Sequence, residues 1–176
     1  MAPYHIVSFW LMPAAREREF FAGVIAELAA RFDAPVFEPH ITLAGGKADE
    51  SGVTGILERI QHSPALALEI EHVAFSAFFT KTLFVQFHPS TEATALSESL
   101  REAAGFGTEY EFDPHLSLLY SDITDAEKES VGRTITIPFQ RVRFDRLKAI
   151  STRVPITTRK EIDDWRPLGE CDLRND

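Results

Sequence analysis

The stretch Glu38-Pro39-His40-Ile41-Thr42-Leu43 has a counterpart in Asp113-Pro114-His115-Leu116-Ser117-Leu118. Each copy reads acidic residue, proline, histidine, aliphatic residue, hydroxyl residue, leucine, and nearly half of the 176-residue chain separates them. With 10 prolines and 6 histidines in the chain, roughly 0.3 Pro-His pairs are expected by chance. Two pairs with matching continuations therefore indicate an internal duplication, so the chain should fold as two similar halves.

Both hexapeptides have the residue types of short strands. Side chains alternate between the two faces of a strand, so His40 and Thr42 share one face and the aliphatic residues between and after them share the other. The same parity places His115 and Ser117 together. Each copy thus offers an imidazole beside a hydroxyl on a strand whose opposite face can enter the core.

The rest of the chain alternates between predicted strands and helices. Apolar, β-branched runs predict strands over 5–11, 36–43, 65–75, 83–87, 115–120, 134–138 and 141–151, with another near the C-terminus. Helical periodicity predicts helices over 14–32, 50–61 and 92–104, and a capping-box pattern predicts one that follows Thr124. Since strands outnumber the crossovers that a parallel sheet needs, we predict an α+β fold with mostly antiparallel pairing. No linker divides the sequence, so we expect a single domain over residues 1–176.

Charge and composition restrict the partners. The formal net charge of −9 gives no broad attraction to a nucleic-acid backbone, so we expect no long nucleic-acid partner, although a small anionic ligand remains possible. No apolar stretch approaches the roughly 18 residues that span a bilayer, so we expect no membrane partner. The N-terminus lacks the pattern of a signal peptide, and Cys171 is the one cysteine. We therefore expect a monomer in the cytoplasm.

Two imidazole–hydroxyl pairs that face each other across a cleft suit a phosphodiester. One histidine can activate water while the other protonates the leaving oxygen. The hydroxyls of Thr42 and Ser117 can donate to the non-bridging oxygens, where negative charge grows. This division of labour needs no metal or other cofactor, and we expect none.

The motif has two other interpretations. A single His-x-Thr on a strand is ordinarily a satisfied polar pair, but the duplication argues against that interpretation here. Imidazole is also a common zinc ligand, yet two histidines without a clear third ligand make a poor zinc site. We therefore predict His40 and His115 as catalytic residues and no metal site.

These residues resemble the 2H phosphoesterases, which are named for two His-x-Thr/Ser motifs, and within them the cyclic phosphodiesterases of the plant and yeast type. The similarity is strongest over residues 114–120 and 124–128, and it extends to the first motif at 37–43, to Trp10-Leu11-Met12-Pro13 and to residues 165–173. It therefore covers essentially the whole chain.

The resemblance implies a bilobal α+β fold, with two pseudo-symmetric lobes of mostly antiparallel sheet flanked by helices and a central active-site cleft. It implies metal-independent hydrolysis of a small cyclic phosphate, either a nucleoside 2′,3′-cyclic phosphate or ADP-ribose 1″,2″-cyclic phosphate. By resemblance, His40 and His115 form the acid/base pair, and Thr42 and Ser117 bind the phosphate.

Two further substrate-binding residues follow from the resemblance. Tyr120 matches a tyrosine that contacts substrate after the second motif, although ideal alternation directs it away from Ser117, so a strand end or bulge must re-aim it. Trp10 either stacks on a nucleobase or is a buried residue of the first strand.

Two rival functions remain open. The RNA-end 2′,3′-cyclic phosphodiesterases of the 2′-5′ RNA ligase type share the motifs, but they would benefit from basic groups around the cleft, which the net charge disfavours. A non-catalytic nucleotide-binding module would keep the cleft without turnover, but pure binding needs no matched acid and base.

Overall fold

The computed structural model describes residues 4–107 and 111–175. This part of the chain forms seven strands and five α-helices. In chain order they are β1 (Tyr4–Pro13), α1 (Ala15–Phe32), β2 (Ile41–Gly46), α2 (Val53–Ile60), β3 (Leu66–Phe75), β4 (Leu83–Phe87), α3 (Thr91–Ala104), β5 (His115–Leu119), α4 (Asp125–Gly132), β6 (Arg141–Val154), α5 (Arg159–Asp163) and β7 (Arg166–Asp172). The predicted α+β class is confirmed.

All pairings between these strands are antiparallel, in the order β1-β2-β5-β4-β3-β6-β7, and β1 also pairs with β6. The long strand β6 joins the two halves of the sheet. Its first residues, Arg141 to Phe144, pair with β3, whereas Phe144 to Val154 pair with β1. One half therefore contains β1, β2 and β7, and the other contains β3, β4 and β5.

The duplication is visible in the topology. Both β1–α1–β2 and β4–α3–β5 are a strand, a helix and an antiparallel return strand, and the return strand carries the motif. The register also repeats, because Trp10 pairs with Thr42 in one unit and Phe84 pairs with Ser117 in the other. An aromatic residue thus lies opposite each motif hydroxyl.

The core lies against the aliphatic residues of the two motifs. Ile41, Leu43, Leu116 and Leu118 are fully buried in the main hydrophobic cluster. This burial fixes the register of both strands, since a one-residue slip would expose these side chains and bury the histidine–hydroxyl face. None of the helices in the described ranges is both long enough and apolar enough to span a membrane.

Three local expectations were wrong. The strand predicted over 36–43 begins only at Ile41 and continues through Gly45 and Gly46. The run over 134–138 forms no strand, because Ile135 and Ile137 pack against the core from a loop. Helix α5 was missed, although Thr158 and Glu161 form a capping box at its start.

The close approach of Phe106 to Gly46 gives a test of the packing. A Cβ at Gly46 would lie 2.7 Å from Phe106 Cδ1, so Gly46→Ala must displace the ring and should lower the free energy of unfolding by about 1–3 kcal/mol. Gly55, in α2, has nothing within 4 Å of its Cβ position, so Gly55→Ala should instead stabilise by up to about 1 kcal/mol. Urea denaturation measures both, and equal stability of the two variants would contradict this packing.

Candidate active site

All six predicted site residues line one cavity of about 190 Å³: Trp10, His40, Thr42, His115, Ser117 and Tyr120. The cavity lies over the paired motif strands β2 and β5 and over the neighbouring strands β1 and β6. The sequence-based prediction that the two motifs converge on one cleft is therefore matched by the placement of these side chains.

The pairing of β2 with β5 brings the motifs together. Ile41 pairs with Leu116 in antiparallel register, and both are fully buried. One residue along from this pair, His40 lies across from Ser117, and Thr42 lies across from His115. Because side chains alternate, all four polar groups share the face opposite the core.

Each imidazole is oriented by its own strand. His40 Nδ1 lies 2.6 Å from the carbonyl oxygen of Glu38, and His115 Nδ1 lies 2.8 Å from that of Asp113. A carbonyl oxygen only accepts, so Nδ1 carries the proton and donates in both cases. Nε2 of each neutral ring is then the nitrogen available to accept a proton in the cavity.

Burial lowers the pKa of both histidines, but not equally. For His40, which is 6% exposed, burial lowers the pKa to about 4; the Glu38 carbonyl opposes this shift, and the charges of His115 and Lys148 add to it. Burial also lowers the pKa of His115, where the Asp113 carbonyl and carboxylate oppose it and Lys81 adds to it. Both rings are therefore mainly neutral at pH 7.

An aromatic side chain packs on each imidazole. Trp10 stacks on His40, with ring centroids 3.7 Å apart and planes 10° apart, and its Nε1 donates to Ser8 Oγ at 3.0 Å. Phe84, at the equivalent register position, meets His115 edge-on with centroids 5.6 Å apart. One face of Trp10 is thus occupied by His40.

A lysine–carboxylate pair lies behind each histidine. Lys148 on β6 pairs with Glu38, and Lys81 pairs with Asp113. Gln86 also donates to Asp113 at 2.8 Å. Burial raises the pKa of Asp113, but the hydrogen bonds from Lys81 and Gln86 outweigh burial and hold that pKa below its ordinary value.

These pairs escaped the sequence analysis, although the signal was present. The first residue of each hexapeptide is acidic, and that acidic residue is the one held by lysine. Nothing in the sequence, however, identified Lys148 or Lys81 as its partner.

The two motif hydroxyls have different surroundings. Ser117 Oγ donates to the carbonyl oxygen of Thr80 at 2.9 Å, whereas Thr42 Oγ1 makes no hydrogen bond to any residue in the described ranges. Tyr120 follows the last residue of β5, so strand alternation no longer dictates its direction and it reaches the cavity. Burial raises the pKa of the Tyr120 hydroxyl, and a hydrogen bond with Ser117 opposes this shift.

The sequence analysis also missed several cavity residues that come from distant segments. Ser8, Thr80, Thr152 and Trp165 line the cavity, and Trp165 also meets Trp10 edge-on at 4.9 Å. Within the described part of the chain, no group of three or more His, Cys, Asp or Glu side chains could hold a metal ion.

The low pKa of His40 predicts how stability depends on pH. Between pH 6.5 and about 4 the unfolded chain binds a proton at this residue that the folded protein does not. The free energy of unfolding should therefore fall on acidification, by at most about 1.4 kcal/mol per pH unit from this residue. Urea titrations at several pH values between 7 and 4.5 should show that the free energy of unfolding falls less steeply with acidification for His40→Gln than for wild type. The same substitution at exposed His72 is the control, and identical slopes for wild type and His40→Gln would refute the prediction.

Comparison with known proteins agrees with this architecture. A model of the 2'-5' RNA ligase superfamily matches residues 17–155. The chain is 24% identical to a protein named cyclic phosphodiesterase from Arabidopsis thaliana, over 96% of this chain and 95% of that one. It is 25% identical to a 2',3'-cyclic-nucleotide 3'-phosphodiesterase from Phaeosphaeria nodorum, over 94% and 98% of the two chains.

Solved structures show the same fold. E. coli LigT complexed with 3'-AMP superposes with a TM-score of 0.58 at 19% identity, over 98% of this chain and 99% of that one. TT0787 of Thermus thermophilus superposes with a TM-score of 0.61 at 13% identity, over 97% and 99%. With the family model matching most of its length, the chain belongs to the 2'-5' RNA ligase superfamily, the group of 2H phosphoesterases that its duplicated motif resembles.

Proposed function

We propose that this protein hydrolyses a small cyclic phosphate to a monophosphate, without a metal, by general acid/base catalysis from His40 and His115. One observation carries the proposal: two imidazoles, each with Nδ1 fixed to a carbonyl, present Nε2 to a single cavity that also contains the two motif hydroxyls. A binding module would need donors but not two matched proton carriers.

The reaction balances with these groups alone. Water attacks the phosphorus and gives a proton to Nε2 of the basic histidine. The ester bond to the leaving sugar oxygen breaks in line, and that oxygen takes a proton from Nε2 of the acidic histidine. Thr42 donates to a non-bridging oxygen, where charge increases in the transition state, and Ser117 donates to another when its hydroxyl turns from the Thr80 carbonyl to the phosphate.

The surroundings of the two rings favour His40 as the base and His115 as the acid. His40 is covered by the face of Trp10 and has the pKa of about 4, so it is unprotonated at neutral pH. His115 has the Asp113 carboxylate 3.7 Å from Nδ1, which favours its protonated form. Glu38 and Asp113 each pair with a lysine, and of these two carboxylates it is Asp113 that also lies within ion-pair distance of its own histidine.

The names of the relatives support a cyclic phosphate as substrate. Cyclic phosphodiesterase and 2',3'-cyclic-nucleotide 3'-phosphodiesterase activities are named for proteins that align along nearly the whole chain. A cavity of about 190 Å³ suits a cyclic phosphate and its sugar. The net charge of −9 favours a small substrate over a long RNA.

Substitutions in the cavity test the mechanism. In excess chelator, with nucleoside 2′,3′-cyclic phosphates as substrates, His40→Ala and His115→Ala should each lower kcat by about 10²–10⁴-fold. Thr42→Val keeps the shape but removes one donor, so it should lower kcat by about 10–10³-fold, and Thr42→Ser should recover most of the loss. His72→Ala, an exposed histidine on β3, is the control.

The outcomes separate the competing functions. A rate that chelation abolishes and a divalent ion restores would overturn the metal-free mechanism. Nucleotide binding without turnover by wild type, retained in His40→Ala, would show a binding module. Turnover of RNA ends alone would show the RNA-end phosphodiesterase, and assignment of products as 2′- or 3′-phosphate identifies the bond that breaks.

The proposed acid and base predict an acidic optimum for the free enzyme. The base is active above a pKa of about 4, and the acid is active only below the lowered pKa of His115. The profile of kcat/KM against pH should therefore be bell-shaped, with its alkaline limb below pH 6.5. The pKa values read from its two limbs are macroscopic values that belong to the pair of histidines. The bell for kcat should lie at higher pH, because bound phosphate raises both pKa values. An alkaline limb of kcat/KM at pH 7 or above would contradict these surroundings.

A further inference from the structure

The two lysine–carboxylate pairs behind the histidines differ in one respect. Lys148 pairs with Glu38, and Lys81 pairs with Asp113. The oxygen that accepts from Lys81 Nζ at 2.5 Å, Asp113 Oδ2, also lies 3.7 Å from His115 Nδ1. In the second half of the molecule, one carboxylate oxygen therefore faces both an ammonium and an imidazole.

Lys81 is packed against the protein and does not extend into solvent. Its side chain is 20% exposed, and its Nζ lies 4.3 Å from the ring centroid of Phe84. The backbone around it is also held by hydrogen bonds. Ser76 Oγ donates to the carbonyl oxygen of Lys81 at 2.6 Å, and the amide of Ser121 donates to Oγ1 of the buried Thr82 at 2.9 Å. The position of the ammonium is therefore set by the fold.

The segment before β4 contacts the second motif through two neighbouring residues. The carbonyl oxygen of Thr80 accepts from Ser117 Oγ at 2.9 Å, and Lys81 pairs with Asp113. Thr80 lines the catalytic cavity, whereas Lys81 is not among its described lining residues. An effect of Lys81 on the reaction must therefore pass through Asp113 to His115, without contact between the lysine and the substrate.

Two other titratable side chains line the catalytic cavity with His115 in the described part of the chain, those of His40 and Tyr120. Burial lowers the pKa of His40 to about 4 and raises the pKa of Tyr120. Both groups are therefore uncharged at pH 7, and neither supplies a charge to His115 there.

Two other carboxylates lie near Asp113. Glu71 and Glu111 line a cavity of about 410 Å³ with Asp113, and His115 is not among the described residues of that cavity. The second oxygen of Asp113, Oδ1, accepts from the neutral Gln86 at 2.8 Å. Within residues 4–107 and 111–175, the charges that act on His115 at neutral pH are therefore those of the Asp113 carboxylate and its paired ammonium.

We propose that Lys81 is a positioning residue for His115: by holding the Asp113 carboxylate, it keeps that carboxylate from pairing with the imidazole and so sets the pH at which His115 carries a proton. The inference rests on the proposed function, in which this proton goes to the leaving oxygen. It assigns to Lys81 a role in catalysis without contact with the substrate.

The physical reason is the opposite effect of the two charges on the ring. A carboxylate close to an imidazole favours its protonated form, and an ammonium opposes that form. While the pair is intact these effects offset each other, and His115 Nδ1 stays on the carbonyl oxygen of Asp113. A proton that the ring takes up is then released readily, as a general acid requires.

The pH dependence of turnover tests the role. Lys81→Met removes the ammonium and keeps most of the side-chain volume, so His115 should be protonated more easily. The alkaline limb of kcat/KM for nucleoside 2′,3′-cyclic phosphates should move to higher pH by about one unit. Asp113→Asn leaves the ammonium unopposed and should move the same limb to lower pH. A structural role alone would lower kcat/KM at every pH and leave the limb in place.

NMR titration measures the same group without turnover. The Cε1–H signal of His115 is assigned by its absence in His115→Gln. The pKa of His115 should rise in Lys81→Met and fall in Asp113→Asn, by the amounts seen in the pH profile. Lys81→Arg keeps the charge and should restore the wild-type pKa. An unchanged pKa of His115 in Lys81→Met would overturn the inference.

The equivalent lysine of the first half is the matched control. Lys148 lowers the pKa of His40, so Lys148→Met should raise the pKa of His40 and leave that of His115 nearly unchanged. Lys160→Ala removes a charge from α5 at a residue that does not line the catalytic cavity, and it should change neither titration. Equal shifts of His115 in Lys81→Met and Lys148→Met would show a general effect of net charge and would also overturn the inference.

A failure to fold and a failure of the proposed function are both recognised separately. Where Lys81→Met does not fold, Asp113→Asn decides, because an unchanged or raised pKa of His115 in that variant contradicts the role of Lys81. A shift of the NMR titration without a shift of the alkaline limb would retain that role and refute His115 as the general acid. Where wild type turns over no substrate, the NMR titrations alone retain or overturn the inference.

Discussion

The pairing of Ile41 with Leu116 is the constraint on which the cleft depends. Both residues are anchored in the core, and each follows the histidine of its own motif. Antiparallel pairing at that point forces the two imidazole–hydroxyl pairs onto one face, with each histidine across from the other motif's hydroxyl. The position of the site therefore follows from the packing of two copies of one apolar pattern in a shared core. The long strand β6 pairs with both β1 and β3 and so closes the sheet.

Burial beside the core lowers the pKa of both imidazoles. The surrounding residues compensate for the burial of these polar groups in two ways. A backbone carbonyl accepts from each Nδ1, so the buried ring is hydrogen-bonded and held in one orientation. The acidic residue two positions earlier is paired with lysine in both halves, which holds the segment before the strand and satisfies the carboxylate. The halves differ in detail, since His40 is covered by a stacked indole and His115 has an edge contact with Phe84. The same duplicated frame thus gives the two imidazoles unequal surroundings.

The features that could be predicted from the sequence are those that depend on local residue patterns and on the repeated motif. The duplicated hexapeptide predicted two similar halves and the convergence of four polar side chains, because strand parity and core anchoring act within each copy. The start of β2 at Ile41 was not predictable in this way, since the apolar residues before it pair with no strand in the described part of the chain. The contributions of Lys148 and Trp165 were hidden for a related reason, because both come from segments far along the chain that reach the site only through the pairing of β6 with β1 and β7.

The electrostatics of the cleft bear on how an acidic protein would bind the anionic substrate that we propose. Its net charge repels one, and the two lysines nearest the histidines are neutralised by their carboxylate partners. What remains in the catalytic cavity is a set of neutral donors and two neutral imidazoles, which interact weakly with an anion until one ring is protonated. In the proposed mechanism, a bound phosphate would supply the negative charge that favours this protonation, so the substrate would help to generate the acid that its own leaving group requires. The low pKa values of the two histidines are therefore compatible with acid catalysis, because the pKa that matters for the chemical step is that of the complex with substrate.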